Sequence, residues 1–244
     1  MKIVLKRTLA LLLLWCLPVS YAAAESADVV ELATKGNYPP WNFINEAGEL
    51  DGFERDLGDE LCRRAGLTCE WVINDWVSII PNLVSNRYDA IVSGMAITPE
   101  RAERIAFTQP YTPPHYSRYM ALSEDVDLEN GVIAAQAGTI QAAHLEELGA
   151  ALAEFQTHDE TLAAVETGEA EALLAHIAFL NEIAKENDRM VIVGEPVVLS
   201  GGVGIGLRQS DVLLREKFDA AITSMKDDGS LNQLIAKWDV SNQW

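Results

Sequence analysis

The chain has 244 residues, with 37 acidic side chains against 18 Lys and Arg, and a formal net charge of −19 at pH 7. Such acidity argues against nucleic acid or anionic lipid as a partner, and it makes any cluster of basic residues informative. The length suits one large domain or two small ones with real cores.

Lys2, Lys6 and Arg7 precede an apolar stretch from Leu9 to Leu17, and Ala22-Ala23-Ala24 stands before Glu25. This is the pattern of a signal peptide over residues 1–24, cleaved near Ala24. The apolar stretch is short for a bilayer span. Trp15 before Cys16 makes a poor lipid-attachment motif, so a soluble periplasmic product is expected. Cleavage removes three basic and no acidic side chains, taking −19 to −22. Only Cys62 and Cys69 then remain. An oxidising periplasm would let them pair; two free buried thiols are the alternative.

In the mature chain, Val29–Thr34 reads as a first strand. Lys35 to Trp41 is predicted irregular, because Gly36, Pro39 and Pro40 break it. Its aromatics Tyr38 and Trp41 could line a cleft or pack in the core. Asn45 to Gly52 reads as a turn. A helix follows with Phe53, Leu57, Leu61 and Ala65 on one face, stopped by Gly66. Cys69–Ile73 is a strand, and Asp75-Trp76 opens a helix that buries Ile79, Ile80, Leu83 and Val84. Tyr88–Val92 is a strand ended by Ser93-Gly94. Thr98 is then a helix N-cap with Pro99 at the first helical position. Arg101 falls in that first turn, where a cation opposes the helix dipole unless an anion lies beside it.

Tyr111-Thr112-Pro113-Pro114 reads as a crossing between domains. Beyond it come strands at Ser117–Leu122 and Val132–Ala137, and a helix from Gly138-Thr139 to Leu148. Thr157 opens a helix that Gly168 ends, Ala172–Ala175 is a buried strand, and His176 opens a helix through Lys185. Met190–Val193 is a further strand. Pro196–Gly202 reads as a second crossing, Val203–Leu207 as a strand, and Asp211–Lys226 and Gly229–Trp238 as closing helices. Strands alternating with helices predict two α/β units with parallel sheets, and a ligand cleft between them.

Gly52-Phe53-Glu54-Arg55-Asp56-Leu57, Asp75-Trp76 with Ile80-Pro81, Ser93 to Arg101 with Phe107, Pro110 and Tyr111, Gln136-Ala137-Gly138-Thr139, Gly202–Leu207 and Asp228-Gly229-Ser230 together resemble the periplasmic polar-amino-acid-binding proteins of ABC importers. The matches keep one order along essentially the whole mature chain. Leu61-Cys62-Arg63-Arg64 with Cys69 further resembles the lysine/arginine/ornithine, histidine and opine-binding branch, which carries a disulfide there. The resemblance implies a two-lobed α/β periplasmic binding protein of type II that closes by a hinge. Residues 25–112 and 199–244 would form lobe 1 and residues 113–198 lobe 2, joined by two hinge crossings.

Carried over by residue, Arg101 would hold the ligand's α-carboxylate with its planar fork. Ala96 and Thr139 would add backbone N–H donors, and the Gly94 carbonyl would take the ligand's amino group. Tyr38 and Trp76 would sandwich the ligand's side chain, with Ser93 and Gln141 at the rim. Two positions depart from the family pattern. His176 stands where many members have an acid for the α-ammonium, and Lys35 stands where the basic-amino-acid branch has an acid for a distal cation. Both changes make the cleft anion-seeking. The expected ligand is a small amino-acid-derived carboxylate, opine-like or dicarboxylic, against which lysine or arginine would fit poorly.

The expected partner is an inner-membrane ABC permease, served by a monomer. A sensory receptor is an alternative destination. A dehydratase acting on prephenate or arogenate is the enzyme alternative, with His176 as its one candidate acid. No cofactor is implied, and the spacing of His115, His144, His158 and His176 matches no metal site.

Overall fold

The computed structural model describes residues 29–244; the signal-peptide reading of residues 1–24 lies outside them. The chain begins with β1 (Val30–Thr34), whose Leu32 and Ala33 are fully buried. The expected irregular loop instead carries two-residue β2 (Asn37–Tyr38), which pairs with β3 (Asn42–Ile44), and this with β4 (Leu50–Asp51). The prolines fall in the turn between β2 and β3, so they do not interrupt the pairing. Gly52 then approaches the Trp41 carbonyl so closely that a Cβ would lie 2.6 Å from its oxygen, at a φ of 117°. No side-chain-bearing residue fits there.

α1 (Phe53–Ala65) buries Phe53, Leu57 and Leu61 and ends on left-handed Gly66, as its periodicity predicts. Each of these side chains is fully buried, worth roughly 2 kcal/mol apiece in transfer free energy. β5 (Cys69–Ile73) follows, tied to α1 by a Cys62–Cys69 disulfide. α2 (Trp76–Val84) buries Ile79 and Leu83, but Val84 faces solvent at the helix end. The strand expected over Tyr88–Val92 shortens to β6 (Ala90–Ile91), because Tyr88 turns its hydroxyl to the Ile79 carbonyl under α2. α3 (Pro99–Arg104) and β7 (Ala106–Phe107) complete this part.

The second part contains β8 (Tyr116–Ala121), β9 (Val132–Gln136), α4 (Ile140–Leu148), β10 (Ala151–Phe155), α5 (His158–Thr167), β11 (Ala172–His176), α6 (Ile177–Glu186) and β12 (Val191–Val198). The chain then returns with β13 (Gly206–Leu207), α7 (Val212–Asp227) and α8 (Ser230–Trp238). The sequence pattern does not predict β10. It is an edge strand with Glu154 exposed, and its sequence lacks the alternation that marks a half-buried strand.

The two main sheets have orders β5-β1-β6-β13-β7 and β10-β9-β11-β8-β12. The expectation of parallel sheets holds only for β5-β1-β6 and β10-β9-β11. β13 and β8 run antiparallel to their neighbours. Both enter their sheets directly from an inter-lobe crossing, so no helix reverses the chain to make them parallel. β12 also runs through Pro196, which narrows the second crossing to residues 199–202. The two crossings lie side by side, with Thr112 bridged to Val203 and Tyr111 N–H donating to the Val203 carbonyl at 2.8 Å.

Candidate functional site

A cavity of about 470 Å³, its mouth included, opens between the two sheets. All ten residues singled out in the sequence line it: Lys35, Tyr38, Trp76, Ser93, Gly94, Ala96, Arg101, Thr139, Gln141 and His176. Trp41, His115, Gln136, Ile140 and His158 complete the lining. Trp41 proves to be both things its loop allowed, since it packs in the first core and faces the cavity.

Arg101 is placed by its helix start. Thr98 accepts the Arg101 backbone N–H at 3.2 Å, which fixes the first turn of α3. The guanidinium donates to the Ala96 carbonyl at 3.0 Å and, across the cleft, to the Gly138 carbonyl at 3.1 Å. It lies 5.2 Å over the Trp76 ring and is only 9% exposed. Among the described residues it has no carboxylate partner. Burial lowers its pKa to about 10, so it remains a cation at neutral pH. A buried cation without a counter-ion is costly, and this one borders the cavity.

The neighbouring loop is held by Glu54. Its carboxylate accepts from Asn42 Nδ2 at 2.6 Å, from Gly94 N–H at 2.5 Å and from the Tyr111 hydroxyl. Gly94 has a φ of 59°, and a Cβ would stand 3.0 Å from the Tyr38 ring. Both constraints require glycine here, and they put the Gly94 backbone against the cavity. Burial raises the Glu54 pKa, opposed by the bonds from Tyr111, Gly94 and Asn42 and by Lys35.

From the other side, Thr139 caps α4 by accepting Ala142 N–H at 3.2 Å, and its hydroxyl donates to the Gln136 carbonyl at 2.7 Å. The Thr139 N–H turns back to the same carbonyl at 3.3 Å, although the resemblance implied a ligand for it. Gln141 donates to Ser117 Oγ at 2.9 Å, and Ser93 Oγ accepts the Lys35 backbone N–H at 3.1 Å.

Lys35 crosses the cleft. Its Nζ lies 3.0 Å from Gln136 Oε1 and 3.2 Å from His158 Nδ1. It also lies 4.6 Å from the centre of the Tyr38 ring and 5.7 Å from that of Trp76. The ammonium therefore faces the two rings between which the resemblance placed a ligand side chain. Burial lowers its pKa to about 7, while Asp159 and Glu54 pull the other way.

His176 ends β11 and caps α6, its Nδ1 accepting Ala178 N–H at 3.0 Å. Burial, with the His115 and His158 charges, holds its pKa well below the usual value. His115 stands beside it, ring centroids 4.0 Å apart, and burial lowers its pKa to about 4. Three of the four histidines thus meet in one cavity although no sequence spacing joins them. They form no metal-binding group among the described residues.

Residues 30–241 match the bacterial extracellular solute-binding proteins, family 3. The chain belongs to that family. It is 27% identical over 241 residues to the arginine-binding periplasmic protein of Mannheimia haemolytica, covering 96% of this chain and 98% of that protein. It is 28% identical over 274 residues to the octopine-binding periplasmic protein of Rhizobium meliloti, covering 90% and 93%. A solved structure, a periplasmic His/Glu/Gln/Arg/opine family-binding protein from Silicibacter pomeroyi in complex with lysine, is 58% identical. It superposes with a TM-score of 0.86, covering 88% of this chain and 100% of that one. These relatives are binding proteins, and the two-lobed α/β architecture is common to them.

Proposed function

We propose that this protein is a periplasmic receptor that captures an amino-acid-derived carboxylate between its lobes and hands it to an ABC permease on hinge closure. The observation that carries the reading is Arg101: a buried guanidinium, bonded to carbonyls of both lobes and without a carboxylate partner among the described residues. A ligand carboxylate meeting that fork gains charge-assisted bonds in a desolvated setting. The same contact draws Gly138 and α3 together, so ligand capture and closure are one event.

The cavity supports an acidic ligand, opine-like or dicarboxylic. Among the described residues its lining holds Lys35 and Arg101 and no Asp or Glu. Lys35 already places an ammonium before Tyr38 and Trp76, where a second acidic group of the ligand would find it. The second reading is lysine, favoured by the lysine complex of the 58% identical relative. Lysine would have to displace the Lys35 ammonium from its aromatic neighbours and find no carboxylate in the lining.

Calorimetry on the mature protein with L-lysine, L-arginine, L-glutamate and octopine separates the two. Binding of the acidic ligands that is lost in Arg101→Met supports the proposal. Tight lysine or arginine binding with no response to acidic ligands selects the second reading. Turnover of prephenate or arogenate, abolished in His176→Ala, would replace both with an enzyme.

A further inference from the structure

Three buried ring nitrogens of cavity-lining residues lack a hydrogen-bond partner among the described residues: Trp41 Nε1, His115 Nε2 and His176 Nε2. They belong to one cluster, with Trp41 and His176 ring centroids 5.3 Å apart, Trp41 and His115 5.8 Å, and His115 and His176 4.0 Å. Trp41 is 1% exposed and His176 is 2% exposed. Leaving a buried polar nitrogen unmatched is destabilising. Three together mark a place where a polar group is expected.

The protons on two of them are fixed by chemistry. An indole nitrogen only donates. His176 Nδ1 accepts the Ala178 N–H, so a neutral ring carries its proton on Nε2. The charged form would put a second proton against that N–H, which the cap opposes. Trp41 and His176 therefore present two donors. The cluster adjoins the Arg101 clamp: Trp41 lies within 4.0 Å of a Cβ built on Gly94, two residues before the Ala96 carbonyl that holds Arg101.

We infer that the Trp41–His176 pair, flanked by His115, is a subsite for an oxygen acceptor carried beside the ligand's α-carboxylate, and that it selects against a free α-ammonium. An ammonium brings only donors and would face two more. A hydroxyl, a carbonyl or the carboxylate of an N-carboxyalkyl arm brings the lone pairs those donors lack. This deepens the proposed function and rests on its placement of the ligand carboxylate at Arg101.

The test compares L-lysine, L-glutamate, 2-hydroxyglutarate and N-(1-carboxyethyl)-L-glutamate by calorimetry on the mature protein. The last two place the oxygen on the α-carbon or on an arm beyond a secondary amine, and so identify its source. At least one is expected to bind about tenfold or more tightly than glutamate, the scale of one charge-assisted bond. Trp41→Phe keeps the packing on Phe53 and should erase most of that preference. His176→Asp keeps a helix-capping residue but supplies an acceptor, and should invert the preference toward glutamate. Glutamate or lysine binding best, with dependence on Arg101 retained, overturns this inference and leaves the receptor reading standing. A preference unchanged in Trp41→Phe overturns it too. Binding of none of these ligands nor of arginine or octopine, or binding indifferent to Arg101→Met, overturns the receptor reading itself.

Discussion

The Lys35 ammonium, anchored beside β1, lies 3.0 Å from the Gln136 side-chain oxygen at the end of β9, so one lysine spans the cleft from sheet to sheet. Its pKa near 7, against 10.5 unperturbed, makes that contact sensitive to pH. An anionic ligand group favours the charged form. We expect affinity for a ligand with a second acidic group to be highest below pH 7 and to fall as pH rises through that value. The limit is about tenfold per pH unit for one proton. Calorimetry between pH 6 and 9 checks this, and a flat profile would remove Lys35 from ligand binding.

The same residue bears on the stability of the unliganded protein. Its folded pKa of about 7 lies below the unfolded value near 10.5, so between these the folded chain holds fewer protons at this site. Stability from Lys35 therefore rises with pH across that window, by at most roughly 1.4 kcal/mol per unit. Lys35→Met should be more stable than the parent at pH 6, with the gap closing by pH 10. Urea unfolding at both pH values measures it.

Glu54 is a positioning residue whose carboxylate gathers Asn42, Gly94 and Tyr111. Glu54→Gln replaces an acceptor with a donor facing others, and should lower stability by about 2 kcal/mol. It should also weaken ligand binding by freeing Gly94. Thermal unfolding and calorimetry report the two effects separately. A variant that loses stability but binds as before would confine Glu54 to the fold.

Cys62 and Cys69 close a short loop between α1 and β5, away from the cavity lining. Replacing both with Ala should cost about 2–3 kcal/mol on the chain-entropy account and leave affinity unchanged. Chemical denaturation with calorimetry checks both halves.

Local chemistry explains what was legible beforehand. α1, α4 and α5 begin and end where the sequence predicts, because Gly66, Gly149 and Gly168 take left-handed turns and Thr139 and Thr157 cap. Arg101 stands out in the sequence as a cation set against a helix dipole, and the resemblance names its neighbours. His115 and His158 were different. Each lies near a turn or helix start and shows no periodicity, and only the crossing at Pro113-Pro114 and the docking of α5 bring them to His176 and Lys35. Edge strand β10 and the mixed sheets are not legible in the sequence, because strand direction depends on tertiary connection, which alternation along the chain does not record.

The central claim is that Arg101 clamps a ligand carboxylate within the closed cleft. Mass spectrometry of what is released from protein purified from the periplasm, parent beside Arg101→Met, tests it most directly. The parent should release an amino-acid-derived compound bearing a carboxylate, and the variant should release none. A released compound without a carboxylate, or equal occupancy of the variant, would contradict the account.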